Sequence, residues 1–105
     1  MNRSFRPEPE ASVELEHAAL WYEHERPGLG AEFLDAIDAT LDRIAQWPDA
    51  APRVGGLPSD VPARRAPVSG FPYHIAYLVM PAAIRILAFA HDNREPGYWF
   101  SRVKG

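Results

Sequence analysis

The chain contains 105 residues, a length that predicts one domain, residues 1–105, around a single hydrophobic core. It has no cysteine, which excludes a disulfide-stabilised scaffold and thiolate metal ligands. The N-terminus has no apolar stretch that could serve as a signal peptide. The longest apolar run, residues 75–90, is broken by Pro81 and is shorter than the roughly 20 residues that a membrane-spanning helix needs, so we expect a soluble cytoplasmic protein that does not act at a membrane.

Charge is distributed unequally along the chain, although the net charge is only -3. Residues 1–52 hold four arginines against eleven acidic residues, whereas residues 53–105 hold six arginines and one lysine against three acidic residues. The acidic half suits a basic partner and the basic half suits an anionic one. The overall acidity argues against a dedicated nucleic-acid-binding protein.

The first part of the chain predicts a short strand followed by a helix. Residues 2–6 form the predicted strand, which Pro7 ends because proline cannot donate to the next ladder position. Glu8 and Pro9 predict a helix start, with the Glu8 side chain as the capping acceptor, and Arg26-Pro27-Gly28 predicts its end. The helical spacing of one apolar face is carried by Ala11, Leu15, Ala18, Ala19 and Tyr22.

A second amphipathic helix follows after the short link Leu29-Gly30, and Trp47-Pro48 ends it. Its apolar face consists of Phe33, Leu34, Ile37, Leu41 and Ile44. Two helices joined by so short a link should lie antiparallel. The Pro/Gly-rich segment that follows predicts an ordered but irregular loop.

The second half of the chain changes to a period of two, which is typical of strands. Residues 63–69 predict an edge strand because they contain Pro67, with Arg64 and Arg65 on opposite faces. Residues 73–80 predict a central strand and residues 84–91 its hairpin partner, in which strict alternation places His91 on the same face as Arg85. The prediction is an α+β fold in the order β-α-α-β-β-β, with a helical hairpin packed on a small, mainly antiparallel sheet of three to four strands.

Several short motifs follow one another along the helices, the central strand and the C-terminal segment. They are Trp21-Tyr22-Glu23, Arg26-Pro27-Gly28-Leu29-Gly30, Phe33-Leu34, Phe71-Pro72-Tyr73 with Ile75 and Tyr77, and Ala90-His91 with Arg94, Pro96 and Tyr98-Trp99. Their joint order and spacing, over almost the whole chain, resembles the RelE/ParE superfamily of bacterial toxins from type II toxin-antitoxin systems.

The resemblance implies a small growth-inhibiting toxin that is neutralised by a separately encoded antitoxin, whose tail wraps the helices and sheet. One branch of this superfamily cleaves mRNA in the ribosome, and another binds and poisons DNA gyrase. The RNA-cleaving members are usually rich in lysine and arginine across the sheet, whereas this chain has one lysine and is acidic overall. We therefore favour a ParE-like gyrase-binding toxin over a ribosome-dependent mRNA endoribonuclease; a non-toxic binding module with the same fold is a third possibility.

The candidate site lies at the C-terminal end of the predicted hairpin. Metal-independent RNA cleavage needs a base for the 2'-hydroxyl, a cation for the phosphate and an acid for the leaving oxygen. For the ribonuclease alternative, the catalytic candidates are His91, Arg94, Tyr98 and Arg65. For a gyrase-binding toxin, the target-contact candidates are Arg64, Arg65, Arg85, His91, Arg94, Tyr98 and Trp99.

A purely structural role for these residues is also open, with Arg94 paired to Asp92 or Glu95 and Tyr98-Trp99 covering the core. We expect neither a cofactor nor a metal. His17 and His24 are seven residues apart on one helix, about 10 Å by the helical rise, which is too far to share one ion.

Overall fold

The structure, a computed structural model, describes residues 4–104, so the predicted strand positions Asn2 and Arg3 lie outside the described residues. The order of elements and the α+β class agree with the sequence prediction. The elements are β1 (Ser4–Pro7), α1 (Pro9–Glu25), α2 (Leu29–Gln46), β2 (Arg64–Pro67), β3 (Tyr73–Val79), β4 (Ala83–His91) and a short 3₁₀ helix (Phe100–Lys104).

The four strands form one mixed sheet in the order β1-β4-β3-β2. Strand β1 pairs in parallel with β4, with Phe5 opposite Ile84, while the other two pairings are antiparallel. Strand β3 is internal and β2 lies at an edge, as predicted from the apolar run of the former and from Pro67 in the latter.

The link between the helices is tight because two glycines allow it. Gly28 has a φ of 91°, a left-handed conformation that favours glycine. A Cβ atom on Gly30 would lie 2.7 Å from the backbone oxygen of Ala19, so this glycine lets α2 approach α1 closely. The Glu23 carboxylate accepts the N–H groups of both glycines at 3.0 to 3.1 Å, which satisfies donors at the start of α2.

Glu8 precedes α1 as predicted, but its side chain makes no capping hydrogen bond to the helix. The carboxylate instead accepts the Arg85 guanidinium of β4 at 3.2 Å. The predicted capping role of this side chain is therefore wrong, because a partly buried cation is available within reach and forms a stronger, charge-assisted bond.

Both faces of the sheet are covered by apolar side chains. On the helix side, α1 and α2 bury a cluster that includes Phe33, Ile37 and Ile75. On the opposite side, which we call the far side, Leu87 and Trp99 belong to a second cluster that also includes side chains of residues 54–61 and of the C-terminal segment. The sheet is therefore the middle layer of three, which explains why both alternating sets of β3 and β4 are apolar.

A β-bulge in β4 reverses the alternation of its side chains. Ala76 lies opposite Ala88 and Tyr77 lies opposite Ile86, so Leu87 has no partner across the strand pair. Leu87 and Ala88 consequently both belong to the far-side cluster. His91 therefore lies on the helix side and Arg85 on the far side, and the prediction that they share a face is wrong.

Candidate functional site

Two clefts lie on either side of the C-terminal end of β4. The helix-side cleft has a volume of about 310 Å³, and its lining includes His17, Trp21, Tyr73, His91 and Arg94. The far-side cleft is a narrow slot of about 30 Å³ that is lined in part by Arg65, His74 and Asp92. Arg94 and Tyr98 line both clefts and separate them. Of these two clefts, the helix-side one reaches the volumes typical of ligand pockets.

A network around Glu14 fixes the wall between the clefts. The Glu14 carboxylate accepts the Tyr98 hydroxyl at 2.6 Å and both terminal nitrogens of Arg102 at 3.0 Å. It also accepts the Phe89 N–H at 3.2 Å, while Arg102 donates to the Leu87 carbonyl at 2.9 Å. Because β1 ends before this part of β4, the Glu14–Arg102 ion pair satisfies the backbone groups that a neighbouring strand would otherwise bond.

The Tyr98 phenol is therefore held as a neutral donor. Burial, together with the hydrogen bond to Glu14, raises the pKa of Tyr98 well above its ordinary range. Arg94 lies over the Tyr98 ring, with its guanidinium carbon 3.8 Å from the ring centre. Its side chain remains exposed, so the position of the Arg94 cation depends on the ring beneath it.

His91 is oriented by its own neighbouring backbone. The Asn93 N–H donates to His91 Nδ1 at 3.0 Å, and the imidazole packs edge-on against Tyr73. Since a backbone N–H only donates, Nδ1 must accept, and the neutral ring carries its proton on Nε2. Neutral His91 therefore offers a hydrogen-bond donor and has no free lone pair with which to act as a general base.

A second histidine, His74 on β3, has the opposite arrangement. Its Nδ1 lies 2.9 Å from Asp92 Oδ1, and because the carboxylate accepts, Nδ1 carries the proton. The Nε2 of neutral His74 is then left with its lone pair. Arg65 approaches the same Nδ1 to 3.5 Å, which is a contact of a nearby cation and not a second hydrogen bond. The His74 side chain is only 12% exposed.

The remaining candidates from the sequence have partners within the fold. Trp99 is 1% exposed and belongs to the far-side core. Arg85 donates to Glu8 and to the carbonyls of Arg102 and Val103, which fixes the C-terminal 3₁₀ helix. Arg64 donates to the Ala51 carbonyl at 2.6 Å and thereby holds the long loop. The structure thus brings His91, Arg94 and Tyr98 together, with Arg65 on the far side of the sheet.

Sequence reasoning did not identify Glu14, His74, Asp92 or Arg102 as part of this site. Glu14 is one acid among many on α1, and nothing local distinguishes it from Glu16. The pairing of His74 with Asp92 follows from the register of the hairpin, in which His74 lies opposite Ala90. Asp92 comes two residues after Ala90, just beyond the end of β4, and therefore lies near His74. This register was the one sequence signal that could have indicated the pair.

The comparisons with known proteins support the fold. A chain from a structure described as the chromosomal ParDE TA system from P. aeruginosa superimposes with a TM-score of 0.70 and 18% sequence identity. The match covers 85% of this chain and 95% of that chain. This chain has the fold of the ParDE chain. At this level of identity the match shows a shared fold, and that fold agrees with the architecture that the RelE/ParE resemblance implied.

No family model and no curated protein matches the sequence. In the part of the chain that the structure describes, no cluster of three histidine or acidic side chains could hold a metal ion, and no helix is long and apolar enough to cross a membrane.

Proposed function

We propose that this chain is the toxin of a type II toxin-antitoxin system, that its cellular target is DNA gyrase and that a cognate antitoxin neutralises it. The single observation that carries this proposal is the similarity, over most of both chains, to a chain from the ParDE TA system. The toxin inhibits growth by binding its target in the cytoplasm and requires no cofactor.

The chemistry at the end of β4 supports a binding role over catalysis by the four residues predicted from the sequence. Neutral His91 has no lone pair for proton abstraction, because Asn93 occupies Nδ1. The Tyr98 hydroxyl donates to Glu14. Arg65 lies on the other side of the sheet, so these groups do not converge on one phosphate.

The gyrase contact on this proposal is the exposed surface around Arg94. Arg94 and Arg65 are exposed and His91 is partly exposed, whereas the other candidates make internal contacts. A cation held over an aromatic ring, next to an imidazole that donates, suits an acidic patch on the target protein.

A supercoiling assay with purified protein tests this function. We expect the wild-type chain to inhibit DNA supercoiling by gyrase, and Arg94→Ala to weaken the inhibition about tenfold or more because an exposed charge contact is lost. Arg53→Ala, which removes another exposed arginine, is the matched control and should inhibit like the wild type. Normal supercoiling in the presence of excess folded protein would exclude gyrase as the target.

A second candidate function, ribosome-dependent mRNA cleavage, is favoured by one specific observation, the 2.9 Å contact between His74 and Asp92. A histidine oriented by a carboxylate, with Nε2 unprotonated and Arg65 alongside, has the features of a general base next to a phosphate-binding cation. In this function His74 and not His91 accepts the proton of the 2'-hydroxyl.

Toeprinting of mRNA on translating ribosomes separates the two candidates. Cuts that disappear in His74→Ala and persist in His91→Ala, with gyrase unaffected, would establish the nuclease and exclude the gyrase proposal. Controlled expression in bacteria covers the third possibility, since continued growth with soluble protein present would indicate a non-toxic binding module.

A further inference from the structure

A further pocket lies where the end of α2 meets the beginning of the long loop and strand β2. We call it the loop pocket, and its volume is about 300 Å³. None of the side chains that line it lines either cleft at the end of β4, so it is separate from the candidate functional site. We propose that the loop pocket binds a small aromatic acid in its anionic form, with the ring against Trp47 and the carboxylate at Arg43.

The floor of the loop pocket is apolar. Ile44, Ala66 and Tyr77 line the pocket and are buried. The Tyr77 hydroxyl already donates to the Pro48 carbonyl at 2.7 Å, so this donor needs no partner in a ligand. A buried apolar floor of this kind favours an aromatic or aliphatic group over a sugar or another strongly polar group.

Trp47 forms an exposed wall beside that floor. At 66% it is the most exposed large apolar side chain in the described part of the chain. Its backbone is held on both sides, because its N–H donates to the Arg43 carbonyl at 2.8 Å and its carbonyl accepts the Ala50 N–H at 3.1 Å. A flat ligand that enters the pocket can therefore stack on an indole ring whose backbone position is fixed.

Arg43 places a positive charge at the same pocket. Its Nη2 donates to the Pro67 carbonyl at 3.0 Å and lies 3.5 Å from the Thr40 hydroxyl, so neutral groups hold the guanidinium in place. Within residues 4–104 Arg43 makes no ion pair, and its Nε and Nη1 groups keep their donors. A guanidinium in this state binds a carboxylate through charge-assisted hydrogen bonds.

Size and charge together define the ligand class. A volume of about 300 Å³ is at the lower end of the range for ligand pockets, which suits one or two fused rings. A neutral molecule would make no use of the Arg43 charge, and a cation would be repelled by it. Asp49 does not neutralise this charge, because its carboxylate lies 3.9 Å from Nε of another arginine, Arg64.

The edge of β2 beside the pocket is closed to a partner strand. The Arg65 N–H donates to the Pro52 carbonyl at 3.0 Å, and the Val54 N–H donates to the Ala63 carbonyl at 2.8 Å, so the loop already occupies this edge. Pro67 has no N–H to offer at the next outward position. An extended peptide could not add to the sheet here, which favours a small molecule as the occupant.

Titration of the full chain with two matched probes tests the site. The probes are 2-naphthoate and 2-naphthamide, which share the ring system and differ in the anionic group. The three tryptophans give separate indole N–H signals in ¹H–¹⁵N spectra, and Trp47→Ser identifies the signal of Trp47. We expect 2-naphthoate to shift that signal while those of Trp21 and Trp99 stay in place. The dissociation constant of 2-naphthamide should be about tenfold higher or more, because the charge-assisted bonds are lost.

Two pairs of variants assign the ring and the charge to their residues. Arg43→Gln should weaken 2-naphthoate about tenfold and leave 2-naphthamide unchanged, whereas Arg53→Gln, which removes an exposed arginine of the adjacent loop, should affect neither probe. Trp47→Ser should weaken both probes about tenfold, because the stacking surface is lost. Trp21→Ser removes a similarly exposed tryptophan on α1 and should leave both affinities unchanged.

Several outcomes would overturn the proposal. They are an unmoved Trp47 signal at millimolar 2-naphthoate, equal affinities for the two probes, and equal losses in Arg43→Gln and Arg53→Gln. A larger loss in Trp21→Ser than in Trp47→Ser would place the probe in the helix-side cleft and would overturn it as well. The comparison of the two probes uses the wild-type chain, so it decides the ligand class even if a variant does not fold.

Discussion

Glu14 is the residue on which the C-terminal part of the site depends. It accepts hydrogen bonds from Tyr98, Arg102 and the Phe89 backbone, and these partners come from parts of the sequence far from α1. The side chains of Glu14 and Arg102 are 18% and 13% exposed, so their ion pair is only partly screened by water.

Glu14→Gln should therefore lower the free energy of unfolding by about 2 kcal/mol, because Arg102 would keep its charge in a partly buried position without a carboxylate. Urea unfolding measures this loss. Glu16→Gln changes an exposed acid on the same helix and should have an effect of less than about 0.5 kcal/mol. Equal midpoints for the two variants would contradict the role assigned to Glu14.

The sequence indicated which residues meet at the site better than it indicated their burial and their hydrogen-bond partners. His91, Arg94 and Tyr98 were expected near one another, and the structure brings them to one cleft. For Trp99 the sequence left two alternatives open, a target contact and a cover over the core, and could not decide between them, because the far-side core forms only when the C-terminal segment folds back over the sheet. The hydrogen bond between Glu14 and Tyr98 joins residues that are so far apart in the sequence that no periodic pattern could indicate it.

Among the elements, both helices and all three C-terminal strands were predicted close to their observed bounds, since their apolar periods and flanking prolines are clear. Strand β4 is the exception in one respect. Its segment of alanine, leucine and phenylalanine around Leu87 is apolar at every position, so an inserted residue leaves no trace in the pattern. The bulge was therefore missed, and with it the side of the sheet on which His91 lies.

The close contact between the two helices depends on Gly30, which has no side chain. Gly30→Ala should destabilise the protein by about 1 to 3 kcal/mol, because its Cβ would lie 2.7 Å from the Ala19 oxygen and push the helices apart. Gly55→Ala, at a loop position with open space and no positive φ, should be neutral or stabilising by up to about 1 kcal/mol. Thermal unfolding of the pair measures both, and a neutral Gly30→Ala would show that the hairpin can spread without cost.

For the molecule as a whole, all four tyrosines are sheltered from ionisation. Burial raises the pKa of Tyr22, Tyr73 and Tyr77, and burial with the Glu14 hydrogen bond raises that of Tyr98. A raised pKa means that the folded state holds the proton more tightly than the unfolded chain does. The stabilisation is complete below the unfolded pKa of about 10 and is lost as the pH rises above it.

An alkaline titration followed by ultraviolet absorbance should therefore show less phenolate in the native protein than in the unfolded chain at pH 10. The chain unfolded in guanidinium should titrate near its ordinary value of about 10. Tyr98→Phe should make the loss of stability with pH less steep, by up to one proton. Half-ionised tyrosines in the folded protein at pH 10 would contradict the buried environments described above.

The parallel pairing of β1 with β4 has a consequence for how the chain is made. Phe5 pairs with Ile84, so β1 cannot join the sheet until β4 has been synthesised. Contacts of such long sequence separation slow folding, and during synthesis they leave the central strands unprotected. Until β4 and the residues that follow it have been synthesised, the nascent chain lacks the Glu14–Arg102 ion pair and both clefts.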